Sequence, residues 1–432
     1  MGGGLLQLVA YGAQDAYICG NPQITFWKGL YKRHTNFAME AFRLNLTGQA
    51  GWGVKNSVVV GRHADLLYST YIQLTMPTGA QINLTGGRPG YNMIKYVELD
   101  IGGQVIDRLY GEWLFLWDCL TNDYSAAVKA SSMVSGGIGG TTSVSIPAQT
   151  QCNTGSGKPS HPYVFYVPLT FFFTKNPGAA LPLIALQYHE VKINIQWADA
   201  KTVVADFNQA SALPDPTDVG VYIDYIYLDV EERRRMAQQS HEYLIEQTQY
   251  NEDKGITSYN NRIDLTFNHP VKELVWVVQP NSHTNCSVSK KFGNYLLRPF
   301  TYGGYASDGT RVEAVYEQWL QINGQDRMDR RYGDYFRKVQ MYQHHSGGAG
   351  EYNEVIGNLG LYMYSFALRP EEHQPSGTCN FSRIDTATIV MNINGAVDMD
   401  ESQDKTYDVR VYAVNYNILR IMSGMAGLAY SN

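Results

Sequence analysis

One block of this sequence occurs twice. Leu99-Asp100-Ile101-Gly102-Gly103-Gln104, followed by Asp107-Arg108-Leu109-Tyr110-Gly111-Glu112-Trp113, returns as Leu320-Gln321-Ile322-Asn323-Gly324-Gln325, followed by Asp329-Arg330-Arg331-Tyr332-Gly333-Asp334-Tyr335. The copies lie 221 residues apart at Leu99 and Leu320 and 222 apart at Tyr110 and Tyr332, so one residue has been inserted between the two parts of the block. Each copy reads as a strand, a glycine turn, a short return and an aromatic helix start. A chain that repeats such a mixture is constrained to fold as two versions of one domain.

Weaker echoes run in the same order. Residues 37–44 match 241–248, and Tyr71–Pro77 matches Leu274–Pro280. Val191–Ile195 matches Ile389–Ile393, and Val221-Tyr222 matches Val411-Tyr412. Their collinearity supports a tandem duplication, with an arm at 1–36, one domain at 37–235 and a second at 236–432. A chain of 432 residues exceeds one ordinary core, and two domains of about 200 residues suit the size prior.

The body reads as β. Ile72, Leu74 and Met76 alternate with Tyr71, Gln73 and Thr75; Val191, Ile193, Ile195 and Trp197 alternate with Lys192, Asn194 and Gln196. Ile263, Leu265 and Phe267 alternate with Asp264 and Thr266; Val409, Val411 and Ala413 alternate with Asp408, Arg410 and Tyr412. Period 2 predicts strands with one buried and one polar face. Roughly eight such runs per half predict an all-β fold of two consecutive eight-stranded jelly-roll sandwiches, with short helices and long loops.

Trp113, Leu116, Trp117 and Leu120 predict one short helix with an apolar stripe packed into the core. Residues 125–160, rich in Ser, Gly and Thr, predict a long exposed loop, with shorter ones at 78–90, 281–310 and 344–358. The joint near residues 231–240 contains neither Pro nor Gly, which predicts a rigid connection.

Tyrosine is abundant, 32 residues against 34 Lys plus Arg, while charged residues make up 17% of the chain. Tyr suits half-buried strand faces and interfaces, and a surface this poor in charge suits one covered by neighbours. The net charge of −6 and the lack of a basic run argue against direct nucleic-acid binding. No apolar run approaches the ~20 residues of a membrane span, and no basic-then-apolar leader is visible, so no secretory signal is expected. Cys19, Cys119, Cys152, Cys286 and Cys379 are scattered and odd in number, which predicts free thiols rather than a disulfide framework or zinc site.

The arm mixes aromatics and cations, with Ile24, Phe26, Trp27, Tyr31, Lys32 and Arg33 as candidate assembly contacts. It either packs on its own domain or lies against neighbouring subunits or a membrane surface. No catalytic, cofactor or metal residues are assigned. His344-His345 reads as a solvated loop, the His-x-His spacing of a metal-binding cupin is missing, and Gly102-Gly103 reads as a tight turn rather than a phosphate cradle. Arg233–Arg235 and Arg327, Arg330 and Arg331 read as solvated charge, or as pairing across subunit seams with Asp326, Asp329 and Asp334 as local partners. Asn45, Asn83, Asn285 and Asn380 begin glycosylation triplets.

Longer blocks carry a resemblance. Leu8–Asp15, Gly20–Phe26, Arg33–Ala38, Ala180–Val191, Gln374–Asp385 and Asn417–Met425 resemble the major capsid proteins of large nucleocytoplasmic DNA viruses, most of all those of algal viruses of the chlorovirus kind. The likeness covers essentially the whole chain and is least at 121–160 and 281–310. It implies two jelly rolls per chain, a homotrimer that tiles with neighbouring trimers, and an icosahedral virion shell around an internal membrane. It implies minor capsid proteins as further partners, synthesis in the host cytoplasm, and neither cofactor nor enzymatic activity. It also raises glycans on outer loops, whose positions do not transfer because those loops do not align. Read without that likeness, a double β-sandwich that binds or cleaves carbohydrate is the alternative, since jelly rolls also serve as lectin and hydrolase scaffolds.

Overall fold

A computed structural model describes residues 2–76, 88–134, 163–203, 213–280, 302–305, 311–347, 359–394 and 406–430. Residues 1–37 form one unit and 38–432 a second. The first unit holds two short helices, Gly3–Val9 and Asp15–Cys19, neither with a buried residue.

The second unit contains both predicted sandwiches. In the first, strands β1 (Phe37–Asn45), β2 (Lys55–Val59), β3 (Leu66–Met76), β4 (Ile94–Ile101), β5 (Gln104–Tyr110), β6 (Tyr163–Pro168), the two-residue β7 (Leu181–Pro182), β8 (Val191–Trp197) and β9 (Asp218–Leu228) follow one another. They form two sheets, ordered β1-β9-β3-β6 and β2-β8-β4-β5, with β7 added beside β3.

The second sandwich comprises β10 (His241–Ile256), β11 (Asn260–Asp264), β12 (Pro270–Pro280), β13 (Gly304–Tyr305), β14 (Arg311–Val312), β15 (Val315–Ile322), β16 (Gln325–Asp326), β17 (Arg331–Tyr332), β18 (Leu361–Ser365), β19 (Cys379–Asn380), β20 (Ala387–Ile393), β21 (Tyr407–Met422) and β22 (Met425–Leu428). Its sheets run β10-β21-β12-β18 and β11-β20-β15-β16. Leaving aside the short additions, both sandwiches pair their first, last, third and sixth strands in one sheet. Their second, seventh, fourth and fifth strands make the other, which is the jelly-roll order.

The repeat extends to backbone detail. Gly102 and Gly103 turn β4 into β5 with φ of 63° and 87°, and Asn323 and Gly324 turn β15 into β16 with φ of 50° and 76°. Two successive positive φ values are what a tight two-residue hairpin demands. A bulge lies between Ile94 and Tyr96 on β4 and between Val315 and Glu317 on β15. The inserted residue falls in the return strand, which is continuous as β5 but split into β16 and β17.

Gly111 and Gly333 then begin helices α1 (Gly111–Thr121) and α3, a π-helical turn Tyr335–Val339 running into Gln340–His344. A Cβ on Gly111 would strike the carbonyls of Ile94 and Tyr91, and one on Gly333 the carbonyl of Val315. Only glycine lets each helix start against the bulged strand. The joint is helix α2 (Val230–Gln238), N-capped by Asp229, whose side chain accepts from the Val230 amide. Arg233 pairs with the buried Asp65 at 2.9 Å, and the expected boundary at 235/236 falls within this helix.

Four expectations need correction. The 125–160 loop begins with a helix, Tyr124–Val134, whose last residue is buried; the rest lies outside the described residues. The match of Tyr71–Pro77 to Leu274–Pro280 is one residue out. Tyr71 pairs with Tyr222 and Val275 with Tyr412, so Tyr71 corresponds to Val275. A single-residue slip exchanges the two faces of a strand. Leu99 pairs with Ile193 and Leu320 with Ile389, so the β8/β20 match is two residues out, which leaves the faces unchanged. Finally, Asp408, Arg410 and Tyr412 are not an exposed polar face: β21 is buried on both sides from Tyr407 to Asn417. Val409, Val411 and Ala413 face the second sandwich's interior, while Tyr412 and Val414 join a core continuous with the first sandwich.

Candidate assembly surfaces

The seam between the two sandwiches is where the first copy of the repeated block lies. Glu112, in the first turn of α1, receives Arg410 Nε at 2.6 Å and Nη2 at 2.7 Å. The hydroxyls of Tyr412 (2.6 Å) and Tyr302 (3.0 Å) also donate to it. Burial alone would raise the Glu112 pKa; the adjacent guanidinium and these donors outweigh it and hold the carboxyl below its usual range. The ring of Tyr110 lies 4.5 Å from that of Tyr250, and Trp113 lies 5.3 Å from Tyr412. Asp107 Oδ1 accepts from the Thr248 amide at 3.0 Å, and burial pushes this carboxyl up to about 7.

A second polar knot lies nearby. Glu246 is shared by Lys175 (2.8 Å) and Lys272 (2.5 Å). Burial would raise Glu246, but the two ammonium groups bring it down to about 2.

His345 overturns the expectation of a solvated loop. Its side chain is fully buried, with Nε2 2.9 Å from Glu273 Oε2 and Nδ1 2.9 Å from Glu371 Oε1. Burial would lower its pKa; Glu273 and Glu371 instead raise it to about 9. The next residues fasten to the end of α1, with Ser346 Oγ donating to Thr121 O at 3.0 Å and Gly347 N to Leu120 O at 2.8 Å. The Trp117 ring stands edge-on to the imidazole. Sequence missed this clamp because Glu273 and Glu371 lie in different segments; the His-His pair was the signal available.

In the second copy Leu320 and Gly333 are buried, but the return and helix start between and after them reach the surface. Asp329 is exposed, Tyr332 is 61% exposed, and Asp334 and Tyr335 are half-buried. Arg330 and Arg331 are exposed, and among the described residues neither forms an ion pair with the nearby aspartates. They lie over the rings of Trp319 (4.5 Å) and Tyr335 (4.1 Å). Asp334 is held by Arg337 (2.6 Å) and Lys338 (2.8 Å) of its own helix.

The sheet face corresponding to the covered one is also on the surface. In the second sandwich that face carries Val275, Val277, Leu361, Met363 and Tyr412, all at most 1% exposed. The matching face of the first sandwich presents Tyr71, Gln73, Tyr166 and Tyr222, none fully buried, with Tyr71 stacked on Tyr222 at 5.1 Å. β1, at the edge of this sheet, is exposed over much of its length.

The arm candidates Ile24, Phe26, Trp27 and Tyr31 are 64%, 86%, 93% and 96% exposed, and Lys32 and Arg33 are exposed too. Asn45 ends β1 and is exposed; Asn380 is exposed and caps a short helix by accepting from the Ser382 amide. Asn83 and Asn285 lie outside the described residues. Cys19, Cys119 and Cys379 are free thiols. Among the described residues, no cluster of three His, Cys, Asp or Glu could hold a metal, and no helix is long and apolar enough to cross a membrane.

Two family models match almost end to end. One, described as major capsid protein N-terminus, matches residues 25–229; the other, described as large eukaryotic DNA virus major capsid protein, matches residues 232–427. The major capsid protein of Pyramimonas orientalis virus is 44% identical over 448 aligned positions, with 100% of each chain covered. That of Phaeocystis pouchetii virus is 41% identical over 540 aligned positions, again covering 100% of each. A quasi-atomic structure of the PBCV-1 virus capsid superposes with a TM-score of 0.74 at 34% identity, over 94% of this chain and 100% of that one.

Proposed function

This chain belongs to the family of large eukaryotic DNA virus major capsid proteins, and from that premise we propose that it builds the virion shell as a homotrimer of its double jelly roll. The supporting observation is the unequal fate of the duplicated block. The helix start of its first copy, Tyr110 to Trp113, packs against the second sandwich, whereas Tyr332, Asp334 and Tyr335 of the second copy, and the sheet face that would receive them, are exposed or half-buried in one chain.

A surface and its complement at opposite roles in one molecule make a head-to-tail contact, which closes into a ring if the rotation allows. Three chains with two similar sandwiches present six similar sides, a block that tiles a plane. Tiling reuses modest contacts many times, so multivalency makes the shell firm. The role is structural, with no catalytic step assigned to the chain. The two sandwiches divide within α2. The arm at 1–36 carries contacts to neighbouring subunits, minor capsid proteins or an inner membrane; its exposed aromatics beside Lys32 and Arg33 support that role.

Light scattering on the purified chain tests the trimer. The expected mass is three times the 48.5 kDa of one chain, with a hexagonal outline in negative stain. A stable monomer at micromolar concentration refutes it.

A further inference from the structure

We infer that the exposed copy of the block docks on a second copy of this chain, with Asp334 meeting Arg43 and Tyr332 entering the face formed by Tyr71, Tyr166 and Tyr222. This rests on the trimer reading and goes further, since it names the contact.

The contact within the chain supplies the pattern. There, Glu112 two residues after Tyr110 meets Arg410 and Tyr412 on β21. By the repeat, Asp334 corresponds to Glu112 and Tyr332 to Tyr110, while Tyr222 corresponds to Tyr412 and Gly220 to Arg410. Glycine at the arginine position would leave the first sandwich without its cation. Arg43, reaching across from β1, fills that place: a Cβ on Gly220 would lie 2.5 Å from Arg43 Nε and 3.1 Å from its Cγ. The cation has moved to the neighbouring strand but occupies the same part of the face.

Charges and exposures fit. In one chain Arg43 pairs with Asp218, and Asp334 with Arg337 and Lys338; all the side chains except Arg337 are between 38% and 58% exposed. Such exposed pairs contribute little, so exchanging or extending them on docking costs little. Shielded from water the two charges attract each other more strongly, and a single reversal there sets two like charges face to face. The receiving face also differs in composition from its covered counterpart in a way that suits later docking. Val275, Val277 and Met363 are never uncovered after folding, whereas Tyr71, Tyr166 and Tyr222 must be soluble before a partner arrives, and tyrosine offers apolar area with a wet hydroxyl.

Charge reversal tests this on the full-length chain by sedimentation velocity. Asp334→Arg and Arg43→Asp are each expected to weaken the trimer at least about tenfold, and the double reversal to recover most of that loss. Tyr332→Ala, a surface truncation, is expected to weaken it as well and decides the matter if a reversal fails to fold; circular dichroism checks folding. A wild-type trimer that Tyr332→Ala and both reversals leave intact overturns the contact but not the trimer. Weakening by the single reversals without recovery in the double overturns the Asp334–Arg43 pairing. A wild-type monomer overturns both readings.

Discussion

Glu112 grips both Nε and Nη2 of Arg410, a residue 298 positions further along the chain. With side chains only 11% and 10% exposed, the pair fastens one sandwich to the other through a seam where water cannot substitute for either partner. Removing one member should therefore do more damage than removing both. Glu112→Leu or Arg410→Met should each cost about 3–5 kcal/mol, and the paired Glu112→Leu, Arg410→Met replacement less than either alone. Chemical denaturation of the four proteins closes the cycle; additive losses would show that the charges do not act as a unit.

His345 makes stability depend on alkaline pH. Its folded pKa, about 9, exceeds the ordinary 6.5 because Glu273 and Glu371 face it from two sides. A raised pKa means that the folded form holds a proton the unfolded chain sheds. The stabilisation is fully present below 6.5 and disappears as pH climbs through 9, amounting to about 3 kcal/mol at most. Unfolding midpoints measured across that window should fall for wild type and lose most of this slope in His345→Gln.

Asp107 acts in another window. Burial lifts its pKa from 3.8 to about 7, so the folded carboxyl resists the ionisation that the unfolded one undergoes readily. Stability contributed here declines as pH rises from 3.8 to about 7. Asn keeps the acceptor used by the Thr248 amide without the charge, so Asp107→Asn should stabilise the protein at about pH 8 by on the order of 1–3 kcal/mol. That advantage should vanish under acid conditions; urea titrations at both ends of the range decide it.

The two helix-start glycines should be intolerant. Gly111→Ala drives a methyl into the carbonyls of Ile94 and Tyr91, and Gly333→Ala into that of Val315. Each should lower stability by about 2 kcal/mol or more. Gly103, where a Cβ would meet open space but φ is 87°, should accept Asn far better than Ala, because Asn tolerates the left-handed region. Thermal melts of the four variants rank them.

Deleting residues 1–36, which takes away Ile24, Phe26, Trp27, Tyr31, Lys32 and Arg33 together, separates the arm from the body. Trimers should still form, since the proposed contact surfaces lie between 38 and 432, but ordered shells should not. Particles of normal yield and appearance from the shortened chain would remove the arm from assembly.

Much of this architecture was legible before any coordinates. The doubled block located both hairpins and both helix starts, because turn geometry and strand periodicity are local properties of a few residues. Matching β3 to β12 went astray by one position, since two apolar runs can be aligned in either phase until hydrogen-bond register is known. The loops expected at 78–90, 281–310 and 344–358, and the later part of 125–160, fall largely outside the described residues.

Asp408, Arg410 and Tyr412 mark the limit most clearly. Alternation with Val409, Val411 and Ala413 established that they share a face, and their polarity pointed that face towards water. Period 2 reports which side chains lie together but not what covers them. The covering surface comes from α1 and its neighbours some 300 residues earlier, and the charge that Arg410 needs for burial comes from Glu112. The sequence alone therefore determined that there are two jelly rolls and which side chains each strand turns the same way. Which polar face would be sealed, and which left exposed, was decided by tertiary packing, since a charge can be buried only where a distant residue supplies its counterion.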